Sequence, residues 1–279
     1  MKTVKTLFSH SSRIIVGLTF SLALILFSCS KDEVSAPGPA PDLPPASSFV
    51  MDFSDFENAD TTKALKNNLG YQNWGYSAAN VFVWNTIITI TFAVPVAAFY
   101  ESFHHEGVWD PDLNSWVWSY NFMAVGVTHL AQLRGSLVEG GVKWEMYISK
   151  DNAYNDVLWY WGISNLTNTE AEWHLNANPQ NLEEVIAIEW NKNIETGEAN
   201  IKYTNVEAGA QEEGGYIIYG IANSEFYNAF YDIYSAKLDN LLEIQWHRTQ
   251  KYGRVKNELH FSDVNWHCWD EMLLDVDCE

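Results

Sequence analysis

The stretch that decides the fold is Trp116-Val117-Trp118-Ser119-Tyr120-Asn121-Phe122. Large aromatic side chains occupy every second position, and smaller or polar side chains lie between them. An alternation with a period of two is typical of a β-strand that is buried on one face only. The stretch therefore predicts a strand that turns a row of aromatic rings toward a core.

The same alternation recurs from this strand almost to the end of the chain. Short polar turns separate the runs, and no helical pattern intervenes. Many short strands joined by tight turns predict an antiparallel meander. A long meander has to hide its edges, which favours closing or wrapping into a barrel. We therefore expect a mainly all-β fold, with a β-sandwich as the alternative. The recurring apolar sets are Trp144/Met146/Ile148, Val157/Trp159/Trp161/Ile163, Ile186/Ile188/Trp190, Ile201/Tyr203, Leu242/Ile244/Trp246 and Val255/Leu259/Phe261.

A long uncharged segment, from Tyr71 to Tyr100, precedes these strands. Its centre is rich in β-branched residues, and Pro95 interrupts it. Periodicity leaves open a buried helix, two buried strands or a membrane-spanning helix. The length of the segment favours a helix over residues 78–103 that packs against or inside the sheet. Ahead of it, residues 63–68 are predicted to form one or two helical turns.

The first 28 residues have the pattern of a secretory signal. Lys2, Lys5 and Arg13 make the beginning basic, and the run from Ile14 to Phe27 is apolar and uncharged. This run is shorter than the ~20 apolar residues that a membrane-spanning helix needs. We therefore expect residues 1–28 to form a signal peptide.

The end of this segment, Leu26-Phe27-Ser28-Cys29, resembles the lipobox of bacterial lipoproteins. The resemblance implies that a lipid is attached to Cys29, through which the chain would be anchored to a membrane. Ser30-Lys31-Asp32-Glu33 is similar to a Bacteroidetes-type surface-export signal, which implies an outer-membrane lipoprotein at the cell surface. The alternative location is the periplasmic face of that membrane.

Proline is concentrated directly after the predicted lipidation site. Five of the eight prolines of the chain lie between Ala36 and Ser48. Such a composition favours an extended, semi-rigid linker. We therefore expect residues 29–49 to be a lipidated N-terminus and a linker, and residues 50–279 to form a single β-rich domain.

Charge and cysteine content narrow the range of partners. With 16 basic and 36 acidic residues the net charge is −20, which argues against nucleic acid as a partner.

Two cysteines, Cys268 and Cys278, lie ten positions apart near the end of the chain. An exported protein meets oxidising conditions, which favour disulfides. We predict a disulfide between them, and two free thiols are the alternative.

Motifs for catalysis are missing. The sequence lacks four common motifs: His-Glu-x-x-His, Cys-x-x-Cys, Gly-x-Ser-x-Gly and a phosphate-binding glycine loop. We therefore predict no catalytic residue, no metal and no cofactor. Adjacent carboxylates such as Glu183-Glu184 could serve glycoside hydrolysis. Such pairs are expected by chance among 36 acidic residues, so a hydrolase is the weaker alternative.

Thirteen tryptophans are the most distinctive part of the composition. The predicted sheet is similar in overall plan, without a shared motif, to lipocalin-type and lipoprotein-carrier barrels, which wrap an apolar interior. One hypothesis is therefore that the domain binds a small apolar or amphipathic ligand. The alternative is an adhesion or glycan-binding module, in which Trp109 and Trp173 are exposed and stack on sugars. The residues predicted to line the apolar interior are Trp116, Trp118, Trp144, Trp159 and Trp161.

Overall fold

The structure is a computed structural model, and it describes residues 35–57 and 70–278. The predicted signal peptide, Cys29, the export-like sequence and the short helix at residues 63–68 lie outside these residues. The compact unit that contains the described residues begins at Ser35.

A single antiparallel sheet of fourteen strands forms most of the described chain. Neighbours in the sheet are neighbours in the sequence throughout, so the predicted meander is confirmed. Within the described residues β1 and β14 each pair with one strand only, so the sheet is open and not a closed barrel. The strands are β1 Val108–Asp110, β2 Ser115–Ala124, β3 Val127–Val138, β4 Gly141–Lys150, β5 Tyr154–Asn165, β6 Glu170–Asn178, β7 Asn181–Lys192, β8 Ala199–Asn205, β9 Tyr216–Ile221, β10 Ala229–Ser235, β11 Asn240–Trp246, β12 Gly253–Lys256, β13 His267–Trp269 and β14 Asp275–Val276.

Tight turns make this sequential pairing possible. Between β2 and β3, Ala124 pairs with Val127, so only Val125 and Gly126 form the turn. Both residues have positive φ angles, 50° and 71°. Two central residues at positive φ match the type I′ turn, whose twist suits the twist of the flanking strands.

The sheet buries one face, which we call the inner face, and exposes the other, the outer face. In β2 the inner residues are the aromatic ones of the predicted alternation, Trp116, Trp118, Tyr120 and Phe122, and all four are buried. The outer positions Ser119 and Asn121 are exposed. The period-two pattern of the sequence therefore gave the correct face for this strand.

In β5 the alternation is interrupted by a bulge. Met146 of β4 pairs with Tyr160, whereas the next residue, Tyr147, pairs with Leu158, so Trp159 is an extra residue in the ladder. A bulge places two consecutive residues opposite one and shifts the phase of every later side chain. Trp159 and Tyr160 are consequently both buried, and Trp161 lies on the outer face.

Helices cover part of the inner face. The predicted helix is confirmed in type, but it begins earlier and is broken in two: α2 spans Gln72–Thr91 and α3 spans Ala93–Ser102. The break falls at Phe92, shortly before Pro95, which has no backbone N–H to continue a helix. Two shorter helices are α1 Ser54–Glu57 and α4 Glu258–Phe261.

By length and hydropathy, none of the described helices spans a membrane on its own. The pair α2 and α3 meets the criterion when both are taken together, but their axes are bent by 74°.

The C-terminal segment holds the beginning of α2. The backbone N–H groups of Gln72 and Asn73 donate to the carboxylate of Asp275, at 3.0 and 2.9 Å. These N–H groups have no partner inside the helix, and a carboxylate also interacts favourably with the positive end of the helix dipole. The predicted disulfide between Cys268 and Cys278 is present, and Asp275 lies within the loop that it closes. It keeps this cap close to β13.

The segment predicted as a linker is packed against the sheet in its second half. Leu43 contacts the core, and Pro44, Ser48 and Phe49 are buried. The ring of Phe49 lies 4.7 Å from that of Phe99 in α3. The domain boundary predicted at residue 50 therefore falls inside the packed part of the chain, because the apolar residues after the prolines are drawn into the core.

Candidate functional site

Four of the five tryptophans predicted to line an apolar interior lie on the inner face. Trp116, Trp118, Trp144 and Trp159 are all nearly or fully buried. Their rings fill the core: the centroids of Trp118 and Trp144, for example, are 5.6 Å apart. These four side chains therefore pack the hydrophobic core.

Glycine on the intervening strands makes room for these rings. One row across the inner face reads Trp116, Gly135, Trp144, Gly162, Trp173 on five successive strands. A Cβ atom on Gly135 would lie 2.8 Å from the ring of Trp144, and one on Gly162 would lie 2.4 Å from that of Trp173. Contacts this short leave no free volume beside the indoles, in line with the density of protein interiors.

The fifth residue, Trp161, does not face the interior. The bulge at Trp159 turns it to the outer face, where it stacks on His174 with ring centroids 4.1 Å apart. The Nδ1 and Nε2 atoms of His174 lie 2.6 and 2.9 Å from carboxylate oxygens of Glu184 and Glu172. The assignment of Trp161 to an interior ligand site is therefore wrong.

The two tryptophans predicted to be exposed for glycan contact are not freely exposed. Trp173 is 0% exposed and packs edge-on against Phe49 and Phe99, because it belongs to an inner position of β6. Its proposed stacking on a sugar is thus excluded by burial. Trp109 is half-buried, and its ring lies 4.9 Å from that of Trp116.

A cavity of about 260 Å³ lies where β7, β8 and β9 meet residues 47–52, and we call it the β7–β9 pocket. Trp190, Ile201 and Tyr219 form its wall, and these three residues are in register on adjacent strands. The other lining residues are four small or apolar ones and four exposed polar or charged ones. They are Ser47, Val50, Asp52, Lys192, Gly197, Ala199, Asn200 and Ile221.

Two tyrosines hold residues 49–52 in place beside this pocket. The hydroxyl of Tyr203 in β8 donates to the carbonyl of Phe49 at 2.8 Å and accepts from the N–H of Met51 at 2.9 Å. The hydroxyl of Tyr231 in β10 donates to the carbonyl of Asp52. Burial raises the pKa of both tyrosines well above the ordinary value, so both hydroxyls keep their protons.

Tyr219 lies on the strand between these two tyrosines and behaves differently. Only 7% of the residue is exposed, yet its buried hydroxyl has no hydrogen-bond partner within the described chain. Burial raises the pKa of Tyr219 to about 12, with Arg248 opposing and Asp52 adding to the shift. A neutral buried hydroxyl without a partner carries a free-energy cost of roughly 1–3 kcal/mol. Tyr219 therefore carries an unused hydrogen-bonding group next to the pocket that its residue lines.

An ion-pair network borders the same region. Burial alone would raise the pKa of Asp55, but hydrogen bonds from Lys251, Trp246 and Arg248 outweigh it, and the pKa is lowered. The distances from Asp55 to these groups are 2.8 to 3.1 Å. Arg248 also reaches Asp52 at 3.3 Å. This network fixes the segment that forms one wall of the pocket.

The sequence did not indicate the roles of Tyr203, Tyr219 and Tyr231. Tyr203 follows the alternation of the sequence, but a tyrosine at an inner position looks like any core residue. Its hydrogen-bond partners lie more than 150 positions away in the chain, beyond the range of local pattern. The only local signal is that tyrosine replaces an aliphatic residue at inner positions of three successive strands.

Nothing in the described ranges resembles a metal centre, since no three His, Cys, Asp or Glu side chains come together as ligands. No family model, curated protein or solved structure matches this chain.

Proposed function

We propose that this protein binds a small apolar or amphipathic ligand in the β7–β9 pocket. The observation that carries the proposal is the buried hydroxyl of Tyr219, which lacks a partner and belongs to a residue that lines an otherwise apolar wall. Apolar pockets with a few well-placed polar groups are the usual form of small-molecule sites. The oxygen has almost no exposed surface, so a hydrogen-bonding group of the ligand would satisfy it after a small movement of the Tyr219 ring.

The pocket favours a small ligand. Its volume of about 260 Å³ lies just below the ~300–1,000 Å³ of typical ligand sites. Trp190, Ile201 and Ile221 offer apolar surface for the body of the ligand. The ammonium group of exposed Lys192 is available to an anionic head group, whereas a hydroxyl or carbonyl group would suit Tyr219. Medium-chain fatty acids and alcohols combine these properties.

We further propose that the protein acts at the outer membrane, as a lipoprotein attached through Cys29 and facing the cell surface. This part rests on the signal-like residues 1–28, the lipobox-like Leu26-Phe27-Ser28-Cys29 and the acidic sequence after it. Mass spectrometry of the N-terminal peptide tests the lipid. Protease treatment of intact cells tests the orientation, because cleavage only after lysis would contradict an outward-facing domain.

Octanoic acid and octanol serve as probes for the pocket. Calorimetric titration of the purified protein is expected to show binding of both. Ala199→Trp places a large side chain in the pocket and is expected to abolish binding. The matched control is Ala187→Trp, since Ala187 is also half-buried in the same strand pair but does not line the pocket.

Tyr219→Phe isolates the hydroxyl. It is expected to weaken octanol binding about five- to tenfold, the effect of one lost hydrogen bond of roughly 1 kcal/mol. The fold should be unaffected, because this hydroxyl has no partner in the described chain. Failure of both probes to bind, or equal binding by the Ala199→Trp and Ala187→Trp proteins, would contradict the proposal.

A further inference from the structure

The outward side of α2 is an apolar surface exposed to solvent. Phe82, Val83, Ile87 and Ile90 are all exposed, and Ile90 is 75% exposed. At 100° per residue these four side chains fall within one side of the helix. We call this set the α2 apolar face. Contiguous exposed apolar surface of this kind marks an interaction site more often than isolated apolar residues do.

Polar side chains on the same helix bond to the helix itself. The hydroxyl of Thr86 donates to the carbonyl of Phe82 at 2.8 Å, and that of Thr89 donates to Oδ1 of Asn85 at 2.9 Å. These groups do not depend on water for their hydrogen bonds. Side chains must meet this condition before a helix enters hydrocarbon, where an unpaired polar group is costly.

Charge distribution points to lipid as the occupant. The whole chain carries a net charge of −20, yet no charged residue occurs between Tyr71 and Tyr100. Pairing this face with a second copy would bring two strongly acidic molecules together, and their repulsion opposes association. Hydrocarbon adds no charge and requires none from the helix.

The buried side of α2 limits how deeply the helix could enter a lipid bilayer. Ala78, Val81 and Ile88 are buried in the core, so α2 remains attached to the sheet along its length. A helix held in this way can lie in the membrane surface with one side in the acyl region, as interfacial helices do.

We propose that the α2 apolar face rests on a lipid bilayer, as a membrane contact separate from any lipid on Cys29 and from the ligand pocket. Phosphatidylcholine, which is zwitterionic and has no net charge, is the preferred surface, because anionic lipids repel an acidic protein. The contact would orient the domain relative to the membrane.

A pair of cysteine variants of the full chain tests this contact. Ile90→Cys places a thiol on the face, and Ile194→Cys is the matched control, since Ile194 is also 75% exposed but lies in the turn between β7 and β8. Cys268 and Cys278 are joined to each other, so they do not react, and any label at Cys29 is common to both proteins. Each protein is labelled with an environment-sensitive fluorophore and mixed with phosphatidylcholine vesicles.

The label at position 90 is expected to shift to the blue and to be quenched by spin-labelled lipid, while the label at position 194 does neither. Adding Ile87→Asp to the Ile90→Cys protein should reverse the shift. Equal behaviour of the two labels in vesicles would overturn the proposal. So would a blue shift at position 90 that grows with protein concentration without vesicles, because that result identifies a second copy as the occupant. Neither outcome affects the octanol test of the pocket.

Discussion

Two regions of the sheet, which we call the tryptophan half and the tyrosine half, fill their interiors differently. In the tryptophan half, β2–β6, the inner positions carry Trp116, Trp144 and Trp173, with glycines between them. In the tyrosine half, β8–β10, they carry Tyr203, Tyr219 and Tyr231. Indoles fill the first half completely, whereas hydroxyls in the second half bind the backbone of residues 49–52 and leave a pocket beside it. An alternating pattern therefore fixes which side chains face inward, and the residue type decides whether the interior is solid.

The largest expected effect lies in the tryptophan half. Trp144 is 0% exposed, and its Nε1 donates to the hydroxyl of Ser164 at 3.0 Å. Trp144→Ala should lower the free energy of unfolding by about 3–5 kcal/mol, because it leaves a cavity and an unpaired partner. Urea denaturation measures this loss. A loss below about 1 kcal/mol would mean that this half is not solid.

A smaller effect is expected from the tyrosine half. Tyr203→Phe removes the hydroxyl that bonds to Phe49 and Met51, and it should cost roughly 1–3 kcal/mol. Tyr160→Phe is the control, since the buried hydroxyl of Tyr160 has no partner in the described chain. That substitution should be neutral or stabilising. If urea denaturation showed equal losses of unfolding free energy for both variants, the hydrogen bonds of Tyr203 would not contribute to stability.

The outer side of the tyrosine half predicts a pH dependence. Burial, with a contribution from the charge of Glu243, raises the pKa of Asp232 from 3.8 to about 6. The folded state then binds a proton more tightly than the unfolded state, so this group stabilises the fold below about pH 4. That stability is lost as the pH rises through 6.

Asp232→Asn removes this titration. Because the side chain is partly exposed, we expect a gain of only about 1 kcal/mol at pH 7, less than the full shift would imply. No gain is expected at pH 4. Unfolding measured at both pH values checks the sign, and a variant that is less stable than the parent at pH 7 would contradict it.

The smallest effect tests the bulge. Trp161 stacks on His174 at the outer face, so Trp161→Ala should cost about 1 kcal/mol or less. Trp159→Ala, two residues earlier in the same strand, should cost about 3 kcal/mol or more. Thermal or urea denaturation of the pair decides the register. Similar losses would place both rings on the same face and remove the bulge.

Local pattern was sufficient for most of the fold. Alternation predicted the strands and their sequential pairing, and the length of the uncharged segment predicted a helix. It failed at Trp161, because a single extra residue in β5 leaves the composition of the strand unchanged while reversing its faces. It failed at Trp173 as well, which was predicted to be exposed but occupies a buried inner position of β6.

The pocket lay beyond prediction for a different reason. Its walls come from three strands and from residues 47–52, of which residues 47–49 were assigned to a linker because of the prolines before them. The contacts that bring these parts together span more than 150 residues. Only the three-dimensional arrangement distinguishes Tyr219, whose hydroxyl has no partner, from Tyr203 and Tyr231.

The attachment of residues 49–52 has a consequence for biosynthesis. Asp52 and Tyr231, which bond to each other, are 179 positions apart in the chain. At roughly 5–20 residues per second, a ribosome needs about 10–35 s to make the chain between them. The rings of Phe53 and Phe56 pack on Tyr231 and Trp246, so these partners are not yet available to cover them during this time. Residues 52–56 are thus synthesised long before the strands that cover them, and their apolar side chains are exposed to aggregation until β10 and β11 have been made.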